Sequence, residues 1–286
     1  MSESLSKTKH RIATIKSTLK ITGAMKLISN VKMNHFKKVL NEEEGYFNSL
    51  KTVFNDVVFL NSFNPSSPSD NLYLKGNSLS NKTIYIVLTS DLGLCGSYNI
   101  DTFKLLNSLI KKDDYIIVIG NKGYNYYSKN NDYQFNFDFT KLQEGIDNDK
   151  IQGLADFVSE TFKTNEYSKV MLVYHHYVNS LVLNLYNEQL LPLTVKENPQ
   201  NRYDPIFVTS KKELTDELAP MMFKGKLALR LYESLICEYN SRRNAMNSAD
   251  DNAKDMLEKL SLSYNKYRQQ AITQEITEVV TAANNR

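Results

Sequence analysis

"NAMNSADDNAKDMLEKLSLSYNKYRQQA" fills Asn244 to Ala271. Met246, Ala249, Ala253, Leu257, Leu260, Tyr264, Tyr267 and Ala271 step along it by threes and fours. That is the spacing of a heptad seam, which one helix buries against another. Pro220 and Gly225 are the last helix breakers before it, and Lys226 to Arg286 contains neither residue type. Unbroken, that span makes a helical rod of about 90 Å at a rise of roughly 1.5 Å per residue. The stripe continues, slightly rotated, through Ile272, Ile276 and Val279. After Glu278 no charge occurs until Arg286. A surface helix keeps charge on its outer face, so these last turns read as a helix end made to sit inside something.

The other end of the chain has the same character. Met1 to Asn64 holds no proline, and apolar residues recur at helical spacing. They run Ile12, Ile15, Leu19, then Ile21, Met25, Ile28, then Phe47, Leu50, Phe54, Val57 and Val58. Gly23 and Gly45 are the only interruptions, and "NPSSPSDN" (Asn64–Asn71) ends the pattern with turn chemistry. About 55 helical residues would span roughly 80 Å. Two rods of similar length pack most simply against each other, antiparallel, with both seams buried.

Residues 1–40 carry Lys7, Lys9, Arg11, Lys16, Lys20, Lys26, Lys32, Lys37 and Lys38 against Glu3 alone, nine minus one, or +8. The whole chain is only +3. Solvated helix faces usually mix signs, so the first rod is expected to meet an acidic partner. A protein surface fits better than nucleic acid, because the basic positions alternate with an apolar seam and few aromatics are placed for base stacking.

Between the rods the period changes. "TIYIVLT" (Thr83–Thr89), "YIIVIG" (Tyr115–Gly120) and "KVMLVYH" (Lys169–His175) read as strands, and "SLVLNLY" (Ser180–Tyr186) as a possible further one. Helix-like stretches at Asp101–Ile110 and Ile151–Thr164 alternate with them, which implies a parallel-type α/β layer. The expected division is 1–64 for the first rod, 65–205 for the α/β domain and 206–286 for the second rod.

Chemistry is sparse. "TSDLGLCGSYN" (Thr89–Asn99) lies where a phosphate loop would sit, but Gly93 and Gly96 do not make GxGxxG and no GxxxxGK[ST] occurs in the chain. A tight strand-to-helix turn is the better reading. His175 and His176 are neighbours on a strand, so they point to opposite faces and do not readily share a metal. Cys95 and Cys237, the two cysteines, have no metal spacing and fit free thiols in a reducing compartment. "MSESLSKTKHRIATIKS" lacks the apolar centre of a signal peptide, and no apolar run is long enough to span a bilayer, so a cytoplasmic protein is expected. No catalytic residue, cofactor site or metal site is assigned.

Four stretches together resemble the γ subunit of F-type ATP synthases. "RIATIKSTLKITGAMKLIS" (Arg11–Ser29) is similar to that family's first helix, and "SDLGLCG" (Ser90–Gly96) to its SDRGLCG turn. "NSLVLNLYNEQLLPL" (Asn179–Leu193) is similar to the strand ending in QLLP. Glu238–Ala283, with "YNKYRQQAITQEITE", is similar to the C-terminal helix nearly residue by residue. The resemblance implies an antiparallel coiled coil of the terminal helices beside a Rossmann-like α/β domain. It implies a non-catalytic central rotor that couples rotation to ATP synthesis or hydrolysis in a hexamer of three α and three β subunits. The implied partners are α, β and ε subunits and the ring of the membrane sector, with no nucleic acid and no small-molecule substrate. Its implied place is the inner face of the cell membrane, held there through the complex.

By the same resemblance, Arg268 and Gln269 match a pair that contacts a β-subunit loop, and Thr273 and Glu275 match polar positions important for coupling. Met25 and Arg242, with Lys26 beside Met25, match residues facing an acidic β segment. Val279, Val280, Ala282 and Ala283 would form the tip that turns in the hexamer's apolar bearing. Leu19, Gly23 and Leu92 depart from the family's usual Gln, Lys and Arg. A γ-like rotor driving a load other than proton transport is the alternative reading.

Overall fold

The computed structural model describes residues 2–62, 71–77, 80–129, 132–164, 166–194 and 210–284. Most of the turn expected at Asn64–Asn71, and the boundaries placed at 64/65 and 205/206, lie outside the described residues. Two long helices, α1 (Ser2–Ser62) and α6 (Lys211–Asn284), bracket the fold. Between them come α2 (Leu72–Lys75), β1 (Thr83–Leu88), α3 (Tyr98–Leu109), β2 (Tyr115–Ile119) and α4 (Asn121–Tyr127). There follow β3 (Gln134–Asn136), α5 (Asn148–Lys163), β4 (Lys169–Tyr177) and β5 (Leu183–Leu191).

Helix α6 starts on a capping box. Ser210 Oγ accepts from the Glu213 N–H at 3.2 Å, and the Ser210 N–H donates back to Glu213 Oε2 at 3.3 Å. Pro220 lies inside this helix without ending it. The chain divides into two compact units, one of Met1–Val31 with Arg242–Arg286 and one of Lys32–Ser241.

The Lys32–Ser241 unit holds a five-stranded sheet in the order β3-β2-β1-β4-β5. Strands β1 to β4 are parallel, as the alternation of strands and helices implied, and β5 runs antiparallel to β4. The reversal follows from the connection: five residues, Val178–Val182, can join only antiparallel neighbours. Asn179 Oδ1 fixes that turn by accepting from the N–H groups of Leu181 and Val182 at 2.9 and 2.8 Å. One face of the sheet packs on α1, α5 and α6 through Phe54, Val158, Phe162, Phe223 and Leu231. Its other face packs on α3 and α4 through Leu106 and Tyr127. Burial on both faces explains why β1 reads as an unbroken apolar run. Where α1 meets α6, a Cβ on Gly225 would lie 2.8 Å from the Phe47 ring, so glycine permits the close approach.

The other unit is a pair of antiparallel helical stretches. Arg243 donates to Asn30 Oδ1 at 3.4 Å and Thr22 donates to Asp250 Oδ1 at 3.3 Å, so numbers fall on α1 as they rise on α6. The seam on α6 lies as its spacing indicated: Met246 and Ala253 are buried, and Ala249, Leu257, Leu260, Tyr264, Tyr267 and Ala271 are half-buried. The seam on α1 differs from expectation. Ile12, Ile15 and Leu19 are half-buried, but the next inward positions are Thr22 and Ser29, while Ile21 and Ile28 are 59% and 60% exposed. Steps of three and four from Leu19 arrive at Thr22, Lys26, Ser29 and Met33, and helical geometry overrides hydropathy.

Candidate functional site

Every residue singled out by resemblance for coupling or for the bearing falls in the unit of Met1–Val31 and Arg242–Arg286. Met25 and Lys26 are half-buried on α1, and Arg242 on α6 is 3% exposed. Within the chain itself Arg242 is thus largely covered. Lys26 stands in the field of Asp250. Lys254, hydrogen-bonded at 2.8 Å, holds the Asp250 carboxyl below the usual range against an opposing desolvation effect, and Thr22 and Lys26 add to the lowering.

Further along α6, Arg268, Gln269, Thr273 and Glu275 are exposed. Thr273 Oγ1 donates to the Gln269 carbonyl at 2.9 Å, and Thr277 and Thr281 repeat this bond one turn on, each at 2.8 Å. Each hydroxyl thus spends its proton on its own helix and turns acceptor lone pairs outward. Lys266, Gln269, Gln270, Thr273, Gln274 and Thr277 line a shallow, open furrow there. Beyond it Val279 and Val280 are 69% and 51% exposed, and Ala282 and Ala283 are exposed too, an apolar surface without charge. This stretch can latch onto carbonyl or carboxylate groups and offer a smooth end.

The sheet offers a second place to look. Open α/β sheets bind ligands where the strand order reverses, outside the carboxyl ends of the strands. Here that point lies between β1 and β4. Side chains of the chain itself fill it. Tyr98, 2% exposed, stacks on His175 with centroids 4.1 Å apart and shares a 2.7 Å hydrogen bond with Ser234 Oγ. Burial pushes the Tyr98 phenol well above its ordinary pKa, with Glu238 adding, and burial raises the Cys237 thiol likewise. The loop before Tyr98 is a tight turn, as its glycines indicated. Gly96 takes a positive φ of 61°, but Leu94 rather than Gly93 takes the other, at 63°. His175 and His176 point apart: one lies under Tyr98, the other pairs with Glu233. Among the described residues no three His, Cys, Asp or Glu side chains converge on a metal-sized site. No helix among them is long and apolar enough to cross a membrane.

The sequence pattern of the family described as ATP synthase matches residues 4–285. The ATP synthase gamma chain of Mycoplasma genitalium is 35% identical over 283 residues, covering 96% of this chain and 98% of the relative. That of Clostridium kluyveri is 33% identical over 278 residues, covering 96% and 95%. The chain belongs to the ATP synthase gamma chain family. Its fold is also that of the rotor in the Euglena gracilis mitochondrial ATP synthase, with a TM-score of 0.65 at 14% identity, covering 95% of this chain and all of that one. Sequence reasoning misses Thr22 and Ser29, buried hydroxyls of the helix pair, and Asp250, the half-buried acceptor of Thr22. The three-four step is the signal that could have found the first two.

Proposed function

We propose that the chain is the central rotor, γ, of an F1-type ATP synthase, and that it is not itself catalytic. The observation carrying this is the end of α6: the exposed polar side chains of Arg268, Gln269, Thr273 and Glu275, followed by the exposed, uncharged Val279, Val280, Ala282 and Ala283. In this reading the helix pair turns inside the α/β hexamer, where ATP is made or hydrolysed. The chain's part is to bias which β conformation is populated at each angle, through contacts that differ between states. Arg268 supplies a planar fork of donors and Gln269 a donor and an acceptor, a latch for a β loop. An uncharged tip suits a bearing, since desolvated ion pairs would hold the shaft at one angle. Met25, Lys26 and the basic face of α1 meet an acidic β segment, attraction across unlike charge. Crowding of the sheet's reversal point by Tyr98 and His175 favours a subunit without a nucleotide of its own. The ε subunit and the membrane ring are the remaining partners, which puts the chain at the inner face of the membrane through its complex. Full-length likeness to ATP synthase gamma chains favours a proton ring over another load.

The test is R268A/Q269A in hexamer rebuilt from purified subunits, with a truncation before Val279 beside it. Losing a hydrogen bond to a charged group costs about 1.5–3 kcal/mol, so turnover should fall roughly 10- to 100-fold. Helix content should not change. Normal hydrolysis and rotation in the double variant defeat the latch, and failure of the wild-type chain to co-purify with α and β subunits defeats the rotor.

A further inference from the structure

Within the Lys32–Ser241 unit, one face of α6 carries a polar side chain on each turn: Lys226, Arg230, Glu233, Cys237 and Asn240. All five reach the β4–β5 hairpin. Lys226 Nζ lies 3.0 Å from Glu188 Oε1 and also donates to the Gln189 carbonyl. Arg230 grips Glu188 with Nε and Nη2 at 2.7 and 3.3 Å, and Glu233 with Nη1 at 3.0 Å. Its guanidinium stands 5.2 Å from the centre of the Tyr174 ring. Glu233 accepts from the Tyr177 N–H at 3.2 Å and pairs with His176. Cys237 donates to the His175 carbonyl at 3.3 Å, and Asn240 to the Ser180 carbonyl at 3.0 Å. The tethers run from Gln189 to the hairpin's tip. Burial works to raise the Glu188 carboxyl, but the hydrogen bonds and charges of Arg230 and Lys226 outweigh it and hold the group below its usual range.

The apolar packing beneath these tethers is non-directional, so it specifies angle and register less sharply than a charged fork does. A guanidinium fork on a carboxylate fixes both angle and register. We propose that this stripe clamps α6 to the β4–β5 hairpin, with Arg230 as the central positioning residue, so that a twist applied to α6 reaches the sheet without slip. The inference deepens the rotor reading and rests on it for its purpose. The clamp is separable from plain stability, because exchanging a partly buried ion pair for apolar residues of similar volume is often neutral.

The variants are R230M/E188L, which removes the fork and its main target and leaves Glu233 to His176 and the Tyr177 N–H, and R230K, which keeps the charge but not the fork. In the isolated full chain, spin labels at Leu181→Cys and Met221→Cys, sites 88% and 45% exposed, report the spread of hairpin-to-helix distances. The spread should widen at least twofold in R230M/E188L and by less in R230K, with Tm nearly unchanged. An unchanged spread in both variants overturns the clamp. Should the double variant fail to fold, R230K alone decides. On immobilised hexamer, a rotating probe fixed at 181 should show at least twofold greater angular variance in the variants, and a probe at 221 should not. Equal variance at both sites overturns the torque role. A wild-type chain that never assembles sinks the rotor reading instead, and the spin-label distances still decide the clamp.

Discussion

The same helix, α6, lives in two surroundings. From Leu227 to Asn240 nearly every residue is buried, polar ones included. From Arg242 to Ala283 only Arg242, Met246 and Ala253 are buried, and from Ile272 onward every residue described is exposed. On α1 the buried positions before residue 32, among the described residues, are Thr8, Thr22 and Ser29, all hydroxyl side chains. An isolated helix draws most of its stability from packing an apolar face. The Lys32–Ser241 unit therefore holds itself together, while the other unit leaves apolar surface such as Leu27, 67% exposed, and Leu262, 66% exposed, for something else to cover. The difference in burial predicts where substitutions will hurt.

The sharpest blow falls in the packed unit. Gly120 has φ +99°, and a Cβ there would stand 2.1 Å from the Thr89 carbonyl oxygen. Neither the backbone angle nor the neighbour can yield cheaply, so Gly120→Ala should cost about 4 kcal/mol. Hydrogen exchange read segment by segment should show β1 and β2 losing protection while the end of α6 keeps its own rate. Wild-type protection in β1 would mean that the sheet is softer than its packing indicates.

Acid should separate the units next. His175 is buried, and no donor or acceptor among the described residues meets its Nδ1. Burial pushes its pKa from 6.5 down to about 4, against a small opposing pull from Asp101. Above pH 6.5 both folded and unfolded states are neutral here, and the full stability is present. As pH falls toward 4 only the unfolded chain takes the proton, so stability is lost across that window, roughly 3 kcal/mol in all. Denaturant titrations from pH 7 to 4.5 should show this slope, and His175→Phe should flatten it. An equal slope in both proteins would place the acid sensitivity elsewhere.

Much of this organisation is legible in the residues themselves. Three of the five strands announce themselves as β-branched runs, because burial on both faces demands apolar side chains throughout. β3 escapes notice because three residues, Gln134–Asn136, are too few to show a period. The α6 seam is legible since its inward positions are apolar. The α1 seam misleads at Ile21 and Ile28, where inward positions hold hydroxyls and the isoleucines face out. Hydropathy marks the buried face of a helix whose inward positions are apolar, and it misleads where those positions hold hydroxyls. Arg268 and Gln269 emerge from resemblance alone, as no local rule marks an exposed polar pair on a helix.

A charge in the helix-pair seam should matter less than one in the sheet. Leu260 is half-buried, so an aspartate there can turn toward water. Leu260→Asp should cost about 1–2 kcal/mol, read as faster exchange confined to the α6 stretch after Arg242. A loss as large as that of Gly120→Ala would show that the seam is as tightly built as the sheet, and the contrast between the units would fail.

The smallest effect has the opposite sign. Gly23 lies in the middle of the α1 stretch that pairs with α6, and nothing stands within 4 Å of where its Cβ would be. No close approach and no unusual backbone angle demands glycine there. Its extra freedom in the unfolded chain is then a plain cost, so Gly23→Ala should stabilise the helix pair by about 0.5–1 kcal/mol. Exchange should slow around Thr22 and Asp250 and stay unchanged in the sheet. The isolated chain and the assembled complex should then part company. If the glycine is kept for bending inside the hexamer, the alanine variant will be more stable alone yet slower in turnover, whereas equal turnover would make the residue an unused flexibility. A loss of stability in the isolated chain would mean that a neighbour already fills the space beside Gly23, against the open surroundings that set this unit apart from the packed one.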